Sequence, residues 1–95
     1  MNSDNNSVSA GKSPEVLMYT TRFCPYCMAA RNLLGDKDVN YTEIAVDSNP
    51  ELRAEMTRLS GQRTVPQIWI AGQHVGGYTD LAAIESSGEL DRLLA

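Results

Sequence analysis

After residue 14 the apolar positions fall into short blocks, and the spacing inside each block predicts its element. Glu15-Val16-Leu17-Met18-Tyr19-Thr20 is a mostly apolar run whose length suits a buried strand. A helix is predicted next, with Ala30, Leu33 and Leu34 as its apolar face. Cys24 falls at the N-cap, Pro25 at the first helical position, and Phe23 is placed to pack on Met28 as a hydrophobic staple. Gly35 reads as a left-handed stop. Tyr41 to Val46 alternates as a second strand. Asn49-Pro50-Glu51 is another cap with Pro at the first helical position, followed by Leu52, Met56 and Leu59 on one face and Gly61 as the closing residue.

The pattern then changes. Val65-Pro66-Gln67-Ile68-Trp69-Ile70 and Gln73-His74-Val75 are strand-like, and Ala71-Gly72 between them makes a hairpin. Gly76-Gly77 breaks the pattern. Thr79 is placed to cap a last helical region containing Leu81, Ala82, Ala83 and Ile84, which Gly88 interrupts before Leu90, Leu93 and Leu94. There is no internal repeat. The order is a βαβ unit followed by a ββα unit: one α/β domain over 14–95.

Residues 1–13 follow a different rule. They are almost all Asn, Ser, Asp, Gly and Lys, with Val8 and Ala10 as the apolar exceptions after Met1. Such a segment cannot offset the entropy of ordering, so a disordered tail is expected. It has neither the apolar run of a secretory signal nor the Arg content of a transit peptide. No stretch reaches membrane-spanning length, and a soluble protein is expected. The net charge of −4 argues against nucleic acid as a general partner. Two cysteines, three positions apart, do not make the framework of a secreted disulfide scaffold. A reducing, cytoplasmic setting is expected, in which the pair does chemistry or forms half of a metal site.

A thiolate, not a thiol, is the nucleophile in disulfide exchange. Unsatisfied N–H groups and the macrodipole at a helix N-terminus favour an anion, and Cys24 occupies that place. Cys27 lies in the first turn, deeper and less exposed. The expected roles are Cys24 as attacker and Cys27 as resolving thiol. Two structural thiols are the plain alternative. Zinc wants about four ligands, and only His74 is otherwise available, so no metal site is expected.

Tyr19-Thr20, Cys24-Pro25-Tyr26-Cys27, Gln62-Arg63-Thr64-Val65-Pro66 and Gly76-Gly77-Tyr78-Thr79-Asp80-Leu81, in this order, resemble a dithiol glutaredoxin over about residues 15–95. The resemblance implies a thioredoxin fold: a four-stranded mixed sheet flanked by helices. It implies glutathione as co-substrate and a cis Pro66 that leaves the Val65 backbone free to pair with an extended peptide; without it, Pro66 reads as a trans residue at a strand start. The implied glutathione site comprises Arg22, Tyr26, Gln62, Thr64, Val65, Pro66, Gly77, Tyr78, Thr79 and Asp80. The N–H groups at the start of the last helical region, with the Thr79 hydroxyl, suit the γ-glutamyl carboxylate. Asp80 suits the ammonium, and Gly77 lets the ligand approach the backbone. An ordinary capped first turn would want Thr79 and Asp80 as well. Gln62 and Arg63 are placed for the glycine carboxylate. Tyr26 reads as a rim residue or a solvent-facing spacer, His74 as a surface residue, and Trp69 as packing. Many family members carry Lys three residues before the first Cys. Thr21 stands there instead, and the adjacent Arg22 is expected to supply the charge.

The expected activity is glutathione-dependent reduction of protein–glutathione mixed disulfides and protein disulfides by a monomeric enzyme. A non-enzymatic alternative is a dimer carrying a 2Fe–2S cluster on one cysteine and one glutathione per subunit. A third is a disulfide reductase fed by a flavoprotein reductase.

Overall fold

The most apolar strand-length run becomes one of the two inner strands of the sheet, as burial on both faces requires. In this computed structural model, which describes residues 14–95, β1 (Val16–Thr20) lies between β2 (Thr42–Ala45) and β3 (Gln67–Ile70). It runs parallel to β2 and antiparallel to β3. β4 (Gln73–Gly76) pairs antiparallel with β3 at the far edge, so the order is β2-β1-β3-β4. The expected disordered tail, 1–13, lies outside the described residues. No described helix is long and apolar enough to cross a membrane.

Alternation along the strands divides the core into two layers. Val16, Met18, Ile68 and Ile70 face α1 (Pro25–Asp36), α3 (Tyr78–Ser86) and α4 (Glu89–Leu94), meeting Ala30, Leu34, Leu81 and Leu90. Leu17, Tyr19, Ile44 and Trp69 face the other way, against Met56 and Leu52 of α2 (Pro50–Ser60). The Ala71-Gly72 turn has φ of 53° and 80°. Positive φ at both central residues is the type I′ geometry that matches strand twist.

Four local expectations are corrected. Gly35 does not stop α1; it sits within the helix, which continues to Asp36, and the left-handed residue is Asp38 (φ 56°). The two added residues place Lys37 between Glu85 and Asp91, at 3.0 and 2.6 Å. Phe23 does not staple onto Met28: it is 89% exposed, with the Arg22 guanidinium over its ring. Thr79 does not cap α3. The N-cap is Gly77, and Asp80 accepts its N–H, so Thr79 falls at the second helical position. Leu59 is half exposed and completes no apolar face.

Candidate active site

β1 ends at Thr20, and the chain enters α1 through Cys24, whose extended backbone (φ −127°, ψ 111°) is that of an N-cap. Its sulfur sits where a capping oxygen normally does and accepts the Cys27 N–H at 3.2 Å. The Cys24 thiol lies 3.8 Å from the Val65 carbonyl. Cys24 is 8% exposed and Cys27 not at all, and both are free thiols. Burial, followed by the hydrogen bond with Cys24, pushes the Cys27 thiol up to about 12. Cys27 is therefore a thiol at neutral pH, and Cys24 is the member of the pair that solvent reaches.

Beside Cys24 runs a groove of about 320 Å³. Three segments far apart in sequence build it: Tyr26 from the first turn of α1; Gln62, Thr64, Val65 and Pro66 from the loop before β3; and Gly77, Tyr78, Thr79 and Asp80 from the start of α3. The Val65–Pro66 bond is cis. The first-turn N–H groups of α3 have no intrahelical acceptor, and the residues that carry them, Tyr78, Thr79 and Asp80, line the groove.

Two features hold the α3 wall. The Asp80 carboxylate accepts the Gly77 N–H at 3.0 Å, closing the first turn. Gly76 adopts φ +121°, and a Cβ there would meet the Asp80 side chain, with Cγ at 2.8 Å. Only glycine fits both conditions. Behind the Gln62–Thr64 wall a buried glutamine, Gln67, donates to the Thr64 carbonyl at 3.0 Å and to Gln62 Oε1 at 3.2 Å. Its own oxygen meets His74 Nε2 at 2.8 Å.

Residues 16–75 match the family model described as glutaredoxin. This chain belongs to the glutaredoxin family. The glutaredoxin of Pseudomonas aeruginosa is 56% identical over 82 residues, covering 86% of this chain and 98% of its own. Glutaredoxin 3 of Escherichia coli is 48% identical over 79 residues, covering 83% and 95%. The solution structure of glutaredoxin from Brucella melitensis superposes with a TM-score of 0.80 at 48% identity, covering 90% of this chain and 94% of that one. A crystal structure of a buckwheat glutaredoxin–glutathione complex gives 0.80 at 26% identity, covering 85% and 76%. The protein is thus a thiol–disulfide oxidoreductase with the thioredoxin fold that its motifs implied.

Nine of this glutaredoxin's ten expected glutathione residues line the one groove, and Arg22 does not. Its guanidinium turns to Asp47, with Nε 3.3 Å from Oδ2, and its side chain is 74% exposed. Asp47 also accepts the Arg22 backbone N–H at 3.2 Å, and the two bonds together hold the residue away from the groove. The motif reading assigned no role to Gly76 or Gln67 and took His74 for a surface residue. His74 is instead half-buried, with its ring 4.8 Å from that of Trp69. Trp69 packs as expected, edge-on to Tyr19 at 5.4 Å.

Proposed function

We propose that this glutaredoxin reduces protein–glutathione mixed disulfides, with glutathione as the electron donor. The observation that carries the reading is the Cys24 sulfur at the head of α1, accepting the Cys27 N–H, beside a groove with free helix N–H groups on one wall. The Cys24 thiolate attacks the glutathione sulfur of the mixed disulfide. That S–S bond breaks, the protein leaves as a thiolate that takes up a proton, and Cys24 carries the glutathionyl group. A second glutathione thiolate attacks this group, giving oxidised glutathione and restoring the Cys24 thiolate. With an intramolecular protein disulfide, Cys24 forms a mixed disulfide with the protein. Cys27, on losing its proton, displaces the reduced protein and closes a Cys24–Cys27 disulfide that two glutathiones reopen.

In the groove, the α3 N–H groups and Thr79 suit the γ-glutamyl carboxylate and Asp80 suits the ammonium. Gln62 suits the glycine carboxylate. Glutaredoxin potentials of about −200 to −230 mV match a cytosolic glutathione pool, consistent with a cytoplasmic enzyme. The test is a glutathione-coupled assay on a glutathionylated peptide. Cys24→Ser is expected to abolish turnover, and Cys27→Ser to keep much of it. Equal activity in the two variants rejects the assignment.

A further inference from the structure

Gln67 is fully buried on the face of β3 that also carries Trp69. An amide placed there costs free energy unless every polar atom is bonded. Gln67 is satisfied, and the direction of its bonds carries chemical information. The Thr64 backbone carbonyl can only accept, so the Gln67 amide nitrogen must face it, at 3.0 Å. The Gln67 oxygen then faces His74, which fixes the proton on His74 Nε2, at 2.8 Å. The second amide hydrogen of Gln67 goes to Gln62 Oε1, at 3.2 Å. With its oxygen engaged, Gln62 keeps its NH₂ group for the groove it lines, and that group has no partner among the described residues.

The sheet is built to bring His74 to this place. A one-residue shift between Ile68 and Trp69 pairs Ile68 with Gly76 but Trp69 with His74. The two-residue Ala71-Gly72 turn sets Ile70 against Gln73 and Trp69 against His74, so His74 shares the face of Trp69 and Gln67, and the shift beyond Trp69 leaves that pairing intact. From there His74 reaches Gln67 diagonally across the strand pair, and the Trp69 ring at 4.8 Å steadies the imidazole.

We propose that Gln67 is a positioning residue for glutathione, which acts by fixing the polarity of Gln62 so that this wall of the groove presents donors to a ligand carboxylate. Its anchor is His74. The inference rests on the glutathione reading above and extends it to two residues that do not line the groove.

The test is steady-state kinetics with a glutathionylated peptide, alongside thermal unfolding. In Gln67→Leu, KM for the peptide rises about tenfold, the value of one hydrogen bond to a charged group, while kcat holds. In Gln67→Glu the new carboxylate can only accept, so Gln62 turns its NH₂ inward, and KM rises at least as far. In a Gln62→Ala background, Gln67→Leu adds no further change. Should Gln67→Leu fail to fold, His74→Phe, which keeps the ring against Trp69 but removes the Nε2–H, is expected to raise KM about threefold. An unchanged KM in a folded variant overturns the inference alone, as does a full KM effect that persists without Gln62. A wild-type enzyme indifferent to glutathione overturns the functional reading and this inference with it.

Discussion

Cys27 is buried among the residues that close the first turn of α1, and that burial sets its chemistry. Its thiol, pushed up to about 12, keeps its proton where Cys24 reacts. Iodoacetamide at neutral pH is expected to add a single equivalent, on Cys24, with Cys27 modified only after unfolding or in strong alkali; rapid double labelling seen by mass spectrometry would contradict this. The same burial affects stability. The unfolded chain loses this proton near the ordinary value of 9.0 and the folded chain only near 12. Stability is therefore intact below the lower value and declines as pH rises between the two. At residue scale the sequence disclosed the cysteines and their order of burial. It did not disclose Arg22, whose turn towards Asp47 depends on a side chain 25 positions away. Nor did it disclose the need for glycine at position 76, which arises from the Asp80 carboxylate and a backbone angle no motif records.

Elements were legible where a cap or a periodicity decided them. Asn49 accepts the Leu52 N–H at 3.1 Å, and Gly61 closes α2 in a left-handed conformation, as their residue types imply. Gly35 misled because tertiary contacts overrode propensity: Leu34 is buried and Lys37 is held by two carboxylates, so the helix runs through the glycine. A Cβ at Gly35 would meet nothing within 4 Å. Gly35→Ala is expected to stabilise the protein by about 0.5–1 kcal/mol, measured by chemical denaturation; destabilisation would contradict the helical placement. A second device joins α1 to β2. Arg31 Nε donates to Glu43 at 2.9 Å, and Thr20 donates to the same carboxylate at 2.7 Å. The Arg31 hydrogen bond, the largest influence, holds the Glu43 carboxyl below its ordinary 4.5. Its contribution is present above that value and lost as pH falls below it. Glu43→Gln is expected to cost about 1 kcal/mol at neutral pH and to weaken the acid dependence of unfolding. An acid limb identical to wild type would show that the pair contributes nothing.

For the whole molecule, the site is a convergence of three segments that the chain order keeps apart. The sheet order β2-β1-β3-β4 sets the loop before β3 beside the head of α1, and the hairpin returns the chain to start α3 against Pro66. Motif residues in the right order were enough to anticipate this groove, because each motif sits where a strand or helix begins or ends. The polar link behind it was not anticipated: the hairpin sets His74 opposite Trp69, but the hydrogen bond from His74 to Gln67 is a side-chain contact that leaves no mark in the spacing of apolar residues. The central claim is that one exposed-side sulfur accepts a glutathionyl group and passes it to glutathione. Its most direct test is the intact mass of Cys27→Ser after a single turnover with a glutathionylated peptide. One glutathione on Cys24, discharged by added glutathione, is the expected result. An unmodified protein, or a modification that free glutathione cannot remove, would contradict the account.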